Sequence, residues 1–260
     1  RRRYRNTTFA ISTTASVTRG HSQAPRSGSG SVAVRMTNSL TWILLALAYV
    51  VGATPTSYWV GRAAHGLDLR EHGSGNLGAT NALRVMGWKS AIPVLLVDIG
   101  KGWVPAALFP LLAGVGFPWG FFFGLAAIAG HMFSFWVGFK GGKGMATGAG
   151  ALLALAPTAV LIGLIMWFSL TLGSGYVSLA SILVAVATPP IIAFTPHQGG
   201  AELVWLSSGL AALIVWKHRT NIRRLIRGEE NRFSRTSKAG NGENRPLDAS
   251  IDVHTPGDKP

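Results

Sequence analysis

Long apolar runs dominate this sequence, and they restrict it to folds that bury such runs in lipid. Six of them are separated by short polar blocks and cover residues 40–60, 91–113, 117–139, 145–172, 177–194 and 203–216. A helix needs about 20 apolar residues to cross a bilayer, and fewer where the bilayer thins or the helix breaks. Only 13% of the residues are charged, against roughly 25% in soluble domains. We therefore predict an all-α, polytopic integral membrane protein.

The basic residues predict the orientation and the number of crossings, because lysine and arginine concentrate on the cytoplasmic side. Basic clusters place the 61–90 loop, the Lys140–Lys143 turn and the segment after Trp216 inside. Two clusters on one side require an even number of crossings between them, but three apolar runs separate Lys143 from Lys217. Pro157 breaks a helix, so we split the 145–172 run there. The result is about seven spans, with the N-terminus outside and the C-terminus inside. A re-entrant hairpin over 145–172 would also keep Lys143 and Lys217 on the same side.

The two ends of the chain differ from its body. Residues 1–35 contain seven arginines and no acidic residue. We interpret them as a disordered basic extension or as sequence upstream of a true start at Met36, and we prefer both readings to a transit peptide. Residues 229–260 are rich in Gly, Asn, Ser and Pro, which predicts a disordered cytoplasmic tail. Residues 36–228 form the predicted membrane domain.

Three polar blocks interrupt the apolar pattern, and all three fall on the predicted cytoplasmic face. They read GSGNLGATNALR at 73–84, FKGGKGMAT at 139–147 and HRTNIRRLIRGEE at 218–230. Glycines let backbone N–H groups converge on a phosphate, and lysine and arginine add cationic donors. The blocks predict one site for phosphorylated substrates at the membrane surface. The plainer explanations are a tight loop, a topology signal and an amphipathic helix on anionic lipid.

Other features exclude several classes of site. The G-x-G-x-x-G pattern at 73–78 lacks the preceding strand and βαβ unit of a dinucleotide site. The chain has no cysteine, which excludes disulfides, thiolate metal sites and cysteine nucleophiles; we expect no metal site and no cofactor. The basic surplus lies at the ends of apolar runs, which favours phosphate or anionic lipid over nucleic acid. Asp98 and Lys101 either neutralise each other or serve a site, and we interpret His131 as a core residue.

The three blocks resemble the signatures of the PlsY family, the bacterial acyl-phosphate:glycerol-3-phosphate acyltransferases. The resemblance comprises Ser74–Asn81 with Arg84, Gly130-His131 with Phe139–Thr147, and His218–Glu230, and it extends over about 36–230. The sequence departs from the family at Gly175, where a basic residue is expected. The resemblance implies a seven-helix fold in the bacterial inner membrane with a cytoplasmic active site. It also implies fatty acyl transfer from acyl phosphate to the 1-hydroxyl of glycerol 3-phosphate, yielding lysophosphatidic acid and phosphate.

The resemblance further implies roles for individual residues. The catalytic set is His218, Asn221 and Ser74. The phosphate-binding set is Gly75, Asn76, Gly78, Thr80, Asn81, Arg84, Lys101, Lys140, Gly141, Gly142 and Lys143. Acyl phosphate is already activated, so positioning and electrostatic stabilisation supply most of the catalysis. The base is either His218 or the departing phosphate. The expected partners are the two substrates, membrane lipids and an enzyme that produces acyl phosphate.

Two other classes of function compete with the enzyme. A phosphate or lipid transporter would also contain broken helices and buried charge, but transporters usually place their sites near the midplane between repeats. No internal repeat is visible here. A membrane scaffold would tolerate Ser74→Ala and Arg84→Ala without loss of function.

Overall fold

The computed structural model describes residues 39–233, and all regular structure within that range is helical. The ten helices are α1 Ser39–Ala53, α2 Thr56–His65, α3 Ala79–Met86, α4 Trp88–Ala113, α5 Trp119–Met132, α6 Met145–Leu155, α7 Pro157–Ser174, α8 Val177–Ala193, α9 Gly200–Lys217 and α10 Arg219–Ile226. The predicted all-α class is confirmed over these residues. The predicted extension 1–35, the start at Met36 and the tail from 234 onwards lie outside the described residues.

Prolines mark the two main interruptions between helices. Pro157 is the first residue of α7, where its fixed φ and missing N–H are tolerated. The predicted break at this proline is confirmed, because α6 ends at Leu155. The predicted single segment 40–60 is instead interrupted at Thr54-Pro55 and continues as α2 to His65. The predicted 117–139 segment stays α-helical only to Met132 and then forms a short 3₁₀ turn, Phe135–Val137.

The lengths of the helices fit a protein that crosses a membrane several times. Five stretches are long and apolar enough to span: Ser39–His65, Trp88–Ala113, Trp119–Val137, Pro157–Ser174 and Gly200–Lys217. α6 and α8 are apolar but shorter. Large apolar side chains such as Leu96 and Ile165 are exposed on the outer surface, where lipid rather than water is the compatible solvent.

Glycines bring the helices of the first half into backbone contact. A Cβ at Gly102 of α4 would overlap the carbonyl oxygen of Thr147 in α6, and a Cβ at Gly150 of α6 would overlap that of Ile99 in α4. Small residues permit this close approach inside membranes. α1 and α5 cross in the same way at Gly52. α7, α8 and α9 pack in succession beside this group, while α2 packs against α3 and α4, and α10 packs against α8 and α9.

Candidate active site

A cavity of about 550 Å³ lies among α3, α4 and α6–α10. Nine residues of the predicted site line it, and they come from all three sequence blocks: Ser74, Asn76, Gly78, Thr80, Asn81, Arg84, Lys143, His218 and Asn221. We call this part of the cavity the polar end. Most of the remaining lining is apolar and comes from α4, α6, α7, α8 and α9; we call this part the shaft. Five predicted residues are not in the lining: Gly75, Lys101, Lys140, Gly141 and Gly142.

Asn81 holds the first glycine-rich block in shape. Its Oδ1 accepts a hydrogen bond from the backbone N–H of Ser74 at 2.8 Å, and its Nδ2 donates to the carbonyls of Leu69 and His72 at 3.2 and 3.0 Å. Gly73 has a φ of 61°, and a Cβ at this position would overlap Asn81 Oδ1. Asn81 was predicted to bind substrate, but its buried amide is committed to the backbone. It therefore positions Ser74, whose hydroxyl has no hydrogen-bond partner within residues 39–233.

Asp68 anchors the start of the same loop. Its buried carboxylate accepts hydrogen bonds from Arg70 Nη2 at 2.7 Å and from Arg62 Nη2 at 3.1 Å. The Arg70 hydrogen bonds hold the pKa of Asp68 well below its usual range, against the effect of burial. One of the four acidic residues between 36 and 228 therefore has a structural role.

In the second block, Lys143 alone brings its charge to the polar end. Its Nζ donates a hydrogen bond to Asn221 Oδ1. Burial lowers the pKa of Lys143 to about 8; Glu230 acts in the opposite direction, and the cations Arg224 and Arg84 add to the lowering. Lys140 is exposed and stays outside the cavity lining. The structure thus separates two lysines that the sequence grouped together.

Gly141 and Gly142 pack against α5 rather than facing the cavity. The N–H of Gly142 donates to the carbonyl of His131 at 3.1 Å, and that of Gly141 donates to Met132 at 3.3 Å. The predicted phosphate cradle therefore does not include these two amides. The first turns of α3 and α6 reach the cavity instead, since Ala79 and Met145 both line it. First-turn N–H groups lack intrahelical acceptors and favour anions.

Gly142→Ala is expected to destabilise the protein, because the added Cβ would overlap His131 Nε2 and lie 2.7 Å from the carbonyl oxygen of Leu77. Overpacking of this kind costs about 1–3 kcal/mol. The thermal midpoint in detergent should fall by about 3–10 °C. Gly209→Ala is the matched control, because no atom lies within 4 Å of its added Cβ. Equal midpoints for the two variants would contradict this packing.

Lys101 lies within α4 and its ammonium is already neutralised there. Its Nζ is 2.7 Å from Asp98 Oδ1 and donates to the carbonyl of Thr54 at 2.9 Å. The side chain is buried and is absent from the cavity lining. This geometry does not support the predicted phosphate contact of Lys101, and it matches the alternative of mutual neutralisation with Asp98. Asp98 and His131 do line the cavity, with His131 Nδ1 3.9 Å from Asp98 Oδ1.

His218 presents one ring nitrogen as a hydrogen-bond acceptor. The other nitrogen, Nδ1, lies 2.8 Å from the carbonyl of Ile214. A carbonyl can only accept, so Nδ1 carries the proton and Nε2 of the neutral ring is left without one. Burial lowers the pKa of His218 to about 4, although the bond to Ile214 opposes the shift. The imidazole is therefore neutral at physiological pH.

Glu230 completes the third block and was omitted from the predicted site. Its Oε1 accepts a hydrogen bond from Asn221 Nδ2 at 2.7 Å, so Asn221 bridges Lys143 and Glu230. Its Oε2 lies 3.6 Å from Arg224 Nε and is buried without a hydrogen-bond partner among the described residues. Glu230 lines the cavity together with Asn231. The sequence signal was present, because the third block itself ends at this glutamate.

The segment after Gly228 packs on the domain instead of leaving it. Arg232 Nε donates to the hydroxyl of Tyr176 at 2.9 Å, and the N–H of Phe233 donates to the carbonyl of Gly175 at 2.7 Å. The predicted domain boundary at 228 therefore falls short, and the ordered body continues to Phe233. The Arg232 guanidinium lies over the ring of Tyr176, beside the glycine where the family resemblance leads one to expect a basic residue.

Comparison with known proteins identifies the family. The family described as glycerol-3-phosphate acyltransferase matches residues 42–228. A glycerol-3-phosphate acyltransferase of Salinibacter ruber is 42% identical over 214 residues, covering 75% of this chain and 93% of the relative. One of Geobacter sulfurreducens is 43% identical over 191 residues, covering 74% of this chain and 96% of the relative. This chain belongs to the glycerol-3-phosphate acyltransferase family.

Solved structures of the family share the fold. A crystal structure of PlsY, an integral membrane glycerol 3-phosphate acyltransferase, in its glycerol 3-phosphate form matches with a TM-score of 0.69 at 36% identity, covering 75% of this chain and 96% of that one. The lysophosphatidic acid form matches with a TM-score of 0.67 at 35% identity, covering 75% and 95%. Membership of the PlsY family, predicted from the three blocks, is confirmed. Glu230, the last residue of the third block, and Asn231 line the same cavity.

Proposed function

We propose that this protein transfers a fatty acyl group from acyl phosphate to the 1-hydroxyl of glycerol 3-phosphate, releasing lysophosphatidic acid and phosphate. The observation that carries the proposal is the division of one cavity into a cationic polar end and an apolar shaft. Arg84 and Lys143 suit phosphate groups, whereas the shaft suits a hydrocarbon chain. The glycerol 3-phosphate and lysophosphatidic acid forms of PlsY support the choice of acceptor and product.

The chemistry of an acyl phosphate matches the side chains that are present. Its mixed anhydride is activated, so the reaction needs no covalent nucleophile, and the chain has no cysteine to offer one. Both substrates carry phosphate, and the polar end combines Arg84 and Lys143 with the first turns of α3 and α6. Groups held in place before the reaction stabilise the charge that develops in the transition state.

In the proposed step, the 1-hydroxyl oxygen attacks the acyl carbonyl carbon and forms the ester bond. The bond between that carbon and the phosphate oxygen breaks, and phosphate leaves with the electron pair. His218 Nε2 accepts the hydrogen bond of the attacking hydroxyl and orients it. An imidazole with a pKa of about 4 holds a proton poorly. The departing phosphate gains the negative charge of the broken bond, which makes it strongly basic, so it is the better final acceptor of the hydroxyl proton.

The topology belongs to the same proposal. The five long apolar stretches together with the shorter α6 and α8 make seven crossings. Lysine and arginine mark the cytoplasmic side; Arg84 and Lys143 line the polar end of the cavity, Arg70 lies in the segment between α2 and α3, and Arg224 lies in α10. The N-terminus is then outside, and the active site faces the cytoplasm across a bacterial inner membrane. Acyl phosphate reaches the site from an enzyme that produces it.

The proposal is tested in sealed phospholipid vesicles that contain the purified full chain. Labelled glycerol 3-phosphate supplied with palmitoyl phosphate is expected to become organic-extractable lysophosphatidic acid. Label that accumulates inside the vesicles as unchanged glycerol 3-phosphate would indicate a transporter instead. Label that neither enters nor reacts, with protein shown to be folded, would contradict both functions.

A further inference from the structure

The shaft has a measurable depth. Its lining runs along α8 from Val177 to Thr188 and along α9 from His218 back to Ser207. Each stretch is roughly 16 Å long at about 1.5 Å per residue. A C–C bond of about 1.52 Å with an angle near 111° advances an extended chain by roughly 1.25 Å, so this depth takes about thirteen carbons. Buried Leu155, Ile192 and Leu203 lie one turn further along their helices and close the far end.

Gly163 of α7 stands about halfway along the shaft, opposite Val184 of α8. Both residues line the cavity. A Cβ at position 163 would lie 3.3 Å from Val184 Cγ1 and would meet no other atom of residues 39–233 within 4 Å, outside the backbone of its own helix. Glycine inside a helix costs about 1 kcal/mol relative to alanine. Its presence here therefore needs a physical reason.

Close packing between backbones does not supply that reason. At Gly102 and Gly150 an added Cβ would overlap the carbonyl oxygen of a neighbouring helix, so those glycines permit two helices to touch. Among residues 39–233 and outside its own helix, an added Cβ at Gly163 would approach only the tip of the Val184 side chain. The missing side chain instead keeps the shaft open beside the Val184 side chain, because both residues line the cavity.

We propose that Gly163 determines the length of fatty chain that this protein accepts. The inference rests on the proposed function, because it takes the shaft as the site of the acyl chain. Val184 lies roughly 10 Å along α8 from Val177. A larger side chain at 163 closes the shaft at that depth and leaves room for about eight carbons. The wild-type glycine lets a long chain continue past Val184 towards Thr188 and Ser207.

The test compares Gly163→Leu with Gly173→Leu in the full chain. Gly173 is the matched control because it lies on the same helix, outside the cavity lining, with no atom within 4 Å of its added Cβ. Octanoyl, dodecanoyl and hexadecanoyl phosphate serve as donors, and kcat/KM is measured for each. Gly163→Leu is expected to lower the hexadecanoyl-to-octanoyl ratio at least about tenfold, because several methylenes lose their buried site. Gly173→Leu is expected to keep the wild-type ratio.

An equal fall for all three donors in Gly163→Leu, or an unchanged ratio, would overturn the inference. If the leucine variant does not fold, Gly163→Ala provides a smaller side chain that should shift the ratio in the same direction. The rise in thermal midpoint on adding octyl or hexadecyl phosphate measures binding of the chain in the shaft without any acyl transfer. Gly163→Leu should lose only the stabilisation by the hexadecyl compound, and loss of neither or of both would also overturn the inference. If the wild type catalyses no transfer but both alkyl phosphates stabilise it, and Gly163→Leu loses only the hexadecyl effect, the proposed function would be contradicted and the role of Gly163 would stand.

Discussion

Lys143→Gln is expected to lower kcat/KM for glycerol 3-phosphate by about 10²- to 10³-fold, the usual effect of removing one preorganised donor. Lys143 lies at the polar end and donates to Asn221. Lys140→Gln is the matched control, because Lys140 carries the same charge in the same loop but is exposed and outside the lining. Its kcat/KM should change by less than about twofold, as expected for a solvated surface charge. The measurement is steady-state transfer of labelled glycerol 3-phosphate with saturating palmitoyl phosphate.

The pH dependence gives the same prediction a second readout. The pKa of Lys143 is lowered to about 8. Its side chain is therefore a charged ammonium below that pH and a neutral amine above it. Because kcat/KM reports the ionisation of the free enzyme, the wild-type value should fall roughly tenfold per pH unit above 8. Lys140→Gln should show the same fall, and Lys143→Gln should not. Equal losses in the two variants, or an unchanged fall in Lys143→Gln, would show that Lys143 does not hold the phosphate.

His218→Ala is expected to lower kcat by about 10²-fold, because the attacking hydroxyl loses the acceptor that orients it. Its pH profile between about 6 and 8 should keep the wild-type shape. The imidazole, with its pKa of about 4, is neutral over that whole range. The control is His197→Ala, which removes a histidine from the loop between α8 and α9, outside the cavity lining.

Two results would contradict this role of His218. A fall of only a few-fold would mean that the imidazole does not orient the hydroxyl. The wild-type kcat could also fall towards low pH between about 8 and 6, with that fall absent in His218→Ala. This result would mean that His218 takes the proton itself, with a pKa raised in the substrate complex. Either result would return the assignment of the base to the alternatives that the sequence leaves open.

The parts of the fold that follow from local chemistry could be predicted from the sequence. Pro157 cannot continue a helix, and α6 ends at Leu155. Charge counting placed three distant blocks on one face, and residues of all three line one cavity. Both predictions depend on properties of short segments, namely the missing N–H of proline and the preference of basic residues for one side.

The roles that depend on the direction of a donor or acceptor could not be predicted. A glycine-rich loop indicates free N–H groups, but those of Gly141 and Gly142 turn towards α5. Asn81 has the composition of a ligand contact, yet its amide is committed to the loop backbone. Tertiary contacts decide both outcomes. For Lys101 the sequence left two alternatives open, because it does not tell whether the ion pair with Asp98 is closed.

Glu230 shows a different limit. It is the second residue of the polar tail that was predicted from Glu229 onwards, and composition assigned it to that tail. Its hydrogen bond to Asn221 depends on α10 turning back towards the polar end, which composition does not reveal. The three-residue separation of His218 and Asn221 indicated a shared face, but the partner of Asn221 lay nine residues further on.

The most direct test of the central claim offers three donors in parallel to the purified full chain in lipid. Labelled glycerol 3-phosphate is mixed with palmitoyl phosphate, palmitoyl-CoA or palmitoyl acyl carrier protein, and labelled lysophosphatidic acid is measured. The account predicts product with palmitoyl phosphate alone, because the proposed function places the phosphate groups of both substrates at the polar end and one acyl chain in the shaft. Product only with a thioester donor would contradict it, and so would no product with any donor in folded protein.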